Sequence, residues 1–216
     1  MNQDTSRRQH HPPHLAAAQA ELSDRLIERV LIHAEFDGWG EAALLQAARD
    51  IGADENLTMV LFPDLPKSLL VWASGYGDSV MHEWLSANKP EKITATIFAG
   101  LQFRYQHFKP YRGALSRAAK LFAHPNHIIT AGELTWQTAD VLWRAAGDQS
   151  NDFNYYSKRG LLAAIIAATL PVYLGDKSEH LKKTEQFLRH RLDNIKIINQ
   201  LKAKLRDGWF GFRRSA

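Results

Sequence analysis

The amino-acid sequence predicts an all-α protein of about ten helices, folded as one domain. Apolar residues recur at helical spacing along most of the 216 residues, and the strict alternation of a half-buried strand is scarce. The composition, with 45% hydrophobic and 23% charged residues, is that of an ordinary folded chain and not of a disordered one. One helical core is therefore expected to account for most of the sequence.

The predicted helices begin and end at residues that suit helix boundaries. Pro, Ser or Asp stands at most of the predicted starts, and Gly or a following Pro stands at several predicted ends. Three short helices come first, six longer ones follow, and an amphipathic helix closes the chain. The predicted ranges are approximately 23–36, 41–50, 54–62, 65–87, 90–108, 110–122, 126–147, 150–173, 178–199 and 201–216.

Composition along the chain predicts three segments. Residues 1–20 are expected to be a flexible leader, because the first fourteen residues hold prolines and histidines and lack the apolar stretch of a secretory signal. Residues 21–200 form the helical domain, with short helices at 21–64 and longer ones at 65–200. Residues 201–216 form a basic amphipathic tail. The chain has no cysteine, which excludes disulfides and thiolate chemistry and favours a reducing compartment.

The three short helices look like a helix-turn-helix. The stretch 27–70 resembles the N-terminal domain of the TetR-type regulators through Gly38-Trp39, Ala47-Ala48-x-x-Ile51-Gly52 and Phe62 before a proline. A DNA-binding module brings positive charge to phosphates, but residues 23–67 hold four Lys or Arg against nine Asp or Glu. We therefore predict a pseudo helix-turn-helix that binds no nucleic acid. The alternative is a TetR-type transcriptional regulator that senses an apolar ligand.

Motifs of known catalytic sites are missing from the sequence. It contains no Glu-x-x-His pair for a di-iron site, no Gly-x-Ser-x-Gly elbow, and no phosphate-binding Gly-rich loop. The leader histidines His10, His11 and His14 lack neighbours that would orient them around a metal, although chelation is possible in principle. No catalytic residue, metal ion or cofactor is predicted, so the protein is expected not to be an enzyme.

The most informative segment spans residues 143–164 and crowds aromatic and charged residues at the turn between two helices. Because adjacent aromatics on a helix cannot all point inward, some side chains near Tyr155 and Tyr156 are expected to be exposed. Exposed aromatics beside charges serve as anchors in protein interfaces. A purely structural corner is the alternative interpretation.

This segment, with residues 165–176 and Phe187-Leu188-x-x-Arg191-Leu192-Asp193, closely resembles the coenzyme Q biosynthesis accessory protein family. The resemblance implies a TetR-like fold, binding of an isoprenoid quinone intermediate, and assistance to the demethoxyubiquinone hydroxylase. Tyr155 departs from the family, which has tryptophan at this position. The resemblance implies a hydroxylase-facing patch at Asp140, Leu142, Asp152, Tyr155, Tyr156 and Arg159.

The TetR-like architecture further implies a cavity for an apolar lipid among the long helices, and a homodimer by analogy. Apolar residues at helical spacing could line such a cavity, although a filled core of the same residues would show the same pattern. The expected lining residues are Trp72, Met81, Trp84, Leu85, Phe98, Leu101, Leu162, Ile165 and Ile166.

The tail carries the pattern of a membrane-surface helix. Residues 189–216 have a net charge of +6 while the rest of the chain has −2, and the tail's apolar residues gather on one arc. We expect the protein to be cytoplasmic and peripheral on the inner membrane of a bacterium, or on the matrix side in a mitochondrion. A last core helix with a solvated basic side is the alternative. The expected membrane residues are Leu201, Leu205, Trp209, Phe210 and Phe212.

Overall fold

The computed structural model of the protein describes residues 13–150 and 153–193. Within these ranges the chain forms nine α-helices and no strand, which confirms the predicted all-α class. The TetR-like arrangement stays a prediction. Residues 1–12, Asp152 and the whole tail with its five expected membrane residues lie outside the described ranges. The helices are α1 Pro13–Asp37, α2 Glu41–Ile51, α3 Glu55–Leu61, α4 Lys67–Asn88, α5 Ile93–His107, α6 Arg112–Phe122, α7 Ile128–Ala145, α8 Phe153–Gly175 and α9 at 182–193.

The first helix begins earlier than its predicted start. α1 starts at Pro13, so residues 13–20 of the expected leader are helical, and Ser23 is buried inside the helix instead of capping it. Residues 17–19 are exposed, so packing does not hold this turn. The run of alanines with Gln19 has high intrinsic helix propensity, which extends the helix without tertiary contacts. The prediction missed this extension because it relied on apolar periodicity.

The next two helices follow the predicted boundaries. Gly52 ends α2 in the left-handed conformation with φ 66°, and its N–H bonds to the carbonyls of Ala48 and Arg49. Asp54 caps α3, because its Oδ1 accepts a hydrogen bond from the N–H of Leu57 at 2.7 Å. Leu26, Ile27 and other buried residues of α1 form a first core with α2, α4 and α6. These contacts hold the pseudo helix-turn-helix against the longer helices.

The longer helices enclose a second core. Met81 and Leu85 of α4 belong to one cluster with apolar residues of α5, α7, α8 and α9, and the core members of this cluster are buried. By length and composition, the stretch Asn154–Gly175 of α8 is apolar enough to cross a membrane, with a mean hydropathy of 1.3. The core helix of a soluble protein can meet the same criterion; here Leu162 and Ile165 are buried in the second core, and 28% of the apolar window is buried in the described structure.

The connection from α8 to α9 depends on one carboxylate. Asp176 accepts hydrogen bonds from the backbone N–H and hydroxyl of Ser178 and from the backbone N–H and hydroxyl of Thr184. Burial works to raise the pKa of Asp176, but these hydrogen bonds outweigh it and hold the pKa well below its usual range. Asp176 therefore caps the start of α9. Ser178, which stands at the predicted start of this helix, was expected to have that role.

Candidate functional site

An apolar cavity of about 430 Å³ lies between the two cores. Its walls come from α1 and from α4 through α8, and its volume falls within the roughly 300–1,000 Å³ that is typical of small-molecule pockets. Most of the lining side chains are aliphatic or aromatic, and several are alanines that leave space open. Prominent lining residues are Leu31, Leu70, Leu101, Phe108, Leu115, Phe122, Ile166 and Leu170.

The expected lining residues are only partly at this cavity. As far as the described residues define its walls, Leu101 and Ile166 line it and the other seven do not. Other contacts hold two of these seven away from the cavity. The indole N–H of Trp72 donates a hydrogen bond to Asp24, and the ring of Trp84 stacks on that of Phe103. The sequence could not separate the two groups, because core and cavity residues share the same helical spacing. The seven residues that do not line it are Trp72, Met81, Trp84, Leu85, Phe98, Leu162 and Ile165.

One end of the cavity opens at the surface between α7 and α8. The exposed residues Ile128 and Gly132 of α7 and Ala167 of α8 form this mouth. A Cβ atom added to Gly132 would meet no described atom within 4 Å, so the glycine leaves the opening wide. Ile128 is 61% exposed and its neighbour Ile129 is 74% exposed. The rim of the mouth is therefore apolar as well.

The other end of the cavity is buried and carries polar groups. The rings of Tyr105 and Tyr173 lie 4.8 Å apart, and in the described part of the chain neither hydroxyl has a partner in hydrogen-bonding geometry, although the Thr169 side chain lies near that of Tyr105. Beside them Arg104 forms an ion pair with Asp78 at 2.6 Å. Burial raises the pKa of Tyr105 to about 12 and also raises that of Tyr173, so both are neutral phenols at ordinary pH.

Sequence reasoning missed this polar end although a signal was present. Asp78 stands three and seven residues before Met81 and Leu85, on the buried apolar face of α4. A carboxylate at such a position needs a partner inside the protein, because an unpaired buried charge is costly. Arg104 is that partner, and Thr138 donates a second hydrogen bond to Asp78 at 3.1 Å.

A second group of interest is the corner where α7 meets α8, built around Arg159. This arginine is 1% exposed, and its Nε donates to Asp140 at 2.5 Å while its Nη1 donates to Asp148 at 3.1 Å. Burial works to raise the pKa of both carboxyls, but the charged hydrogen bonds outweigh it and lower the pKa of each. Lys158 completes the network by bonding to Asp148 at 2.8 Å. The corner is thus a compact cluster of compensated charges.

The structure brings together some residues of the expected partner patch and separates others. Asp140, Tyr155 and Arg159 contact one another, and Tyr156 is 63% exposed beside them. Leu142 is fully buried in the second core. Leu142 and Arg159 are therefore too buried to contact a partner in this conformation. They can act only by supporting the exposed residues around them.

Trp136 is a member of this corner that sequence reasoning missed. Its ring centroid lies 6.5 Å from that of Tyr155 and 6.3 Å from that of Tyr156. It precedes Asp140 by four residues, a spacing that places both residues on one face of α7 and could have revealed it. We call Trp136, Tyr155 and Tyr156 the aromatic corner.

The mouth and the aromatic corner are neighbours on one surface. Gly132 of the mouth and Trp136 of the corner are four residues apart, so they lie one turn apart on the same face of α7. On α8, Gly160 lies against Trp136 and Ala167 follows it two turns later on the same face. Any ligand that leaves the cavity through the mouth therefore emerges beside the aromatic corner.

The described residues hold no group of three or more His, Asp or Glu side chains arranged for a metal ion. On the pseudo helix-turn-helix, Arg49 pairs with Glu55 at the start of α3, and that helix has only seven residues. Over residues 23–67 this module holds four Lys or Arg against nine Asp or Glu, so its formal charge is negative.

Comparison with known proteins gives a consistent family assignment. The COQ9 family profile matches residues 128–199, which include α7, α8 and α9. The chain is 26% identical to coq9 of Dictyostelium discoideum over 187 residues and 25% identical to COQ9 of Homo sapiens over 185 residues. It is also 26% identical to coq9 of Schizosaccharomyces pombe over 196 residues. All three are mitochondrial proteins named for ubiquinone biosynthesis.

These matches extend over most of the chain but not over all of each relative. They cover 81%, 82% and 88% of this chain, and 60%, 58% and 76% of the respective relatives. The chain thus spans about 60% of the length of the first two. The profile match falls on the helices that carry the mouth and the aromatic corner.

Proposed function

Because this chain belongs to the COQ9 family of ubiquinone biosynthesis proteins, we propose that it binds an isoprenoid quinone intermediate in its cavity and delivers it to the demethoxyubiquinone hydroxylase. In this proposal the protein is a non-catalytic accessory that works at a membrane surface. An isoprenoid tail is too apolar to cross water unaided, because each exposed CH₂ costs about 0.8 kcal/mol. A cavity that shields the lipid and opens beside a docking surface would remove this barrier.

The observation that carries the proposal is the position of the mouth relative to the aromatic corner. The cavity is apolar and its rim is apolar, and Trp136 lies one turn of α7 from Gly132 of the mouth. The exposed ring of Tyr156 lies 6.3 Å from that of Trp136. Tyr and Trp are the residues that most often anchor protein interfaces. A partner that docks on the corner would therefore lie next to the lipid's exit.

The lipid-binding step is tested at the mouth. In the Gly132→Phe variant we expect the new ring to occupy the opening, so that less prenyl lipid co-purifies from a ubiquinone-producing host. Gly75→Phe is the matched control, because Gly75 is also an exposed helical glycine with no described atom within 4 Å of an added Cβ. The measurement is native mass spectrometry of both variants. Equal lipid in the two variants would count against the cavity as the binding site.

The docking step is tested at the aromatic corner. We expect Tyr156→Ala to weaken co-purification with the hydroxylase at least tenfold, since loss of an interface anchor costs about 2 kcal/mol or more. Phe36→Ala is the control, because Phe36 is an exposed aromatic on α1 with 76% exposure. If both variants retain the hydroxylase equally, the corner is not the docking surface.

The membrane step rests on the sequence of the tail. Removing residues 201–216 is expected to reduce sedimentation with liposomes that contain anionic lipid, because the segment combines apolar and basic residues. Unchanged sedimentation would remove the membrane role. The compartment stays a proposal: the cytoplasmic face of a bacterial inner membrane, or the matrix side of a mitochondrial one. The relatives are named as mitochondrial proteins. A homodimer also stays a prediction.

A TetR-type regulator is the alternative function and makes the opposite prediction about DNA. A repressor retards genomic DNA in an electrophoretic mobility assay at low salt, where phosphate contacts are strongest. The excess of acidic residues at 23–67 leads us to expect no retardation. Specific retardation that an apolar ligand relieves would favour the regulator.

A further inference from the structure

We propose that the hydroxyls of Tyr105 and Tyr173 form a subsite for the carbonyl oxygen of a benzoquinone ring, so that the lipid enters the cavity ring first. This inference deepens the proposed lipid-binding function and rests on it. It concerns the polar groups at the buried end of the cavity, because an apolar lipid tail would form no hydrogen bond with them.

The two hydroxyls are unusual because they are buried without partners. Tyr105 is 8% exposed and Tyr173 is 1% exposed. Within the described residues neither hydroxyl has a partner in hydrogen-bonding geometry, although the Thr169 hydroxyl lies close enough to Tyr105 to work against the rise of its pKa. Leaving a buried donor unsatisfied is unfavourable, and the great majority of such groups in proteins are paired. Both residues line the same cavity and their rings are 4.8 Å apart. An acceptor atom brought by a ligand would satisfy both donors at once.

The charge of the cavity selects a neutral acceptor. Among the described lining residues, Arg104 is the one with a charged side chain, and it is already paired with Asp78 at 2.6 Å. Arg112 lies outside this lining, where it donates to the backbone carbonyls of Tyr173 and Asp176. A carboxylate or phosphate in the cavity would therefore be desolvated with no unpaired cation among the described lining residues, which is unfavourable. A ring carbonyl carries no net charge and accepts hydrogen bonds from phenols. The subsite therefore fits a quinone better than a fatty acid or a phospholipid headgroup.

The positions of the two ends set the orientation of the lipid. Tyr173 of α8 lies beside the start of α6, because Arg112 donates to its backbone carbonyl at 3.5 Å. Phe122, the last residue of α6, also lines the cavity, and Ile128 of the mouth follows it six residues later. The eleven residues of α6 correspond to about 16 Å at roughly 1.5 Å per residue. A quinone ring bound at Tyr173 would therefore place its isoprenoid tail along α6, and the tail would leave through the apolar mouth. The tail reaches the bilayer or the partner while the ring stays shielded.

The test compares two probes that differ in oxygen content. One is a para-benzoquinone with a decyl tail, and the other is decylbenzene, which has a ring and tail of similar shape but no acceptor. Both are delivered from cyclodextrin to the full-length protein, and binding is measured by isothermal titration calorimetry. We expect the wild-type protein to bind the quinone at least tenfold more tightly, since a well-placed hydrogen bond contributes about 0.5–1.5 kcal/mol and two donors are available. Decanoic acid serves as a third probe and is expected to bind more weakly than the quinone.

The variants Tyr105→Phe and Tyr173→Phe remove one hydroxyl each and keep the ring. Each is expected to lower quinone affinity about three- to tenfold and to leave decylbenzene binding unchanged. Tyr111→Phe is the matched control, because Tyr111 lies close by between α5 and α6 but outside the described cavity lining. The ligand-free variants should unfold at the wild-type temperature or higher, since the removed hydroxyls have no described partner. This second measurement separates a lost ligand contact from a folding defect.

The possible outcomes separate the subsite from the function on which it rests. If the wild-type protein binds neither apolar probe, the proposed lipid-binding function fails. If it binds both probes equally, or if both Phe variants keep the full preference for the quinone, the subsite is wrong and lipid binding stands. Tighter binding of decanoic acid than of the quinone would also overturn the subsite.

Discussion

The guanidinium carbon of Arg159 lies 3.6 Å from the ring centroid of Tyr155, while the same guanidinium bonds to Asp140 and Asp148. One buried cation thereby fixes two carboxylates of α7 and its following turn, and one aromatic ring of α8. The hydroxyl of Tyr155 also donates to Asp140 at 3.2 Å. Arg159 thus holds the ring of Tyr155 and Asp140 holds its hydroxyl. Trp136 and Tyr156 lie against this ring. The geometry of the aromatic corner therefore depends on a residue that has almost no surface of its own.

Replacing Arg159 should loosen this corner. Arg159→Met takes the buried shared partner away from Asp140 and Asp148, and we expect a loss of about 3 kcal/mol in the free energy of unfolding. Arg159→Lys should recover part of it, because lysine keeps the charge but cannot bond to both carboxylates in the same geometry. Urea denaturation followed by circular dichroism measures all three proteins.

Arg144→Met provides the comparison for Arg159. Arg144 also pairs with Asp140, at 2.8 Å, but its side chain is 68% exposed. Solvent-exposed pairs contribute little, so this variant should be close to the wild-type protein. If Arg144→Met and Arg159→Met lose equal stability, the buried network is not what holds the corner.

Gly100 should tolerate no larger residue. A Cβ atom at this position of α5 would lie 2.6 Å from Leu142 and 2.9 Å from Leu85, both of which are buried. Gly100→Ala should therefore destabilise the protein by about 1–3 kcal/mol through overpacking. Gly75→Ala, on the exposed face of α4 with no described atom near its Cβ, should be neutral or stabilising by about 0.5–1 kcal/mol. Equal effects in thermal unfolding would show that the α5–α7 contact is looser than described.

Trp136 should contribute to docking although it was not among the residues predicted from the sequence. Under the proposed function we expect Trp136→Ala to weaken association with the hydroxylase about tenfold or more, as for an interface anchor. Ile129→Ala, another change on α7 at a residue that is 74% exposed, is the control. Surface plasmon resonance with immobilised hydroxylase measures both. A larger effect of Ile129 would move the docking surface toward the mouth.

The sequence predicted helices better than it predicted which side chains line a cavity. Gly52 and Asp54 mark their helix boundaries through local hydrogen bonds, so their roles can be read from neighbouring residues alone. Membership of the cavity wall depends on how helices far apart in sequence are placed. Ile165 and Ile166 are adjacent in α8, yet the first fills the second core and the second lines the cavity. Apolar periodicity identifies both as inward but cannot tell a filled interior from an open one.

Acid should weaken the connection between α8 and α9 through Asp176. The four hydrogen bonds from Ser178 and Thr184 lower its pKa in the folded protein, whereas the unfolded chain has the ordinary aspartate pKa of about 4. The folded state therefore prefers the carboxylate, and the stabilisation is fully present above pH about 4 and is lost as the pH falls further toward the folded pKa.

Asp176→Asn isolates this contribution, because the amide oxygen cannot replace two carboxylate oxygens that each accept from a donor pair. At neutral pH we expect the variant to be less stable than the wild-type protein by about 1–3 kcal/mol. The difference should shrink as the pH is lowered below about 4, since the wild-type protein then loses the same interaction. Glu179→Gln, a change at a carboxyl in the same connection that is 76% exposed, should show no such trend. A difference between Asp176→Asn and wild type that stays constant from neutral pH to pH about 3 would mean that the carboxylate's charge is not what caps α9.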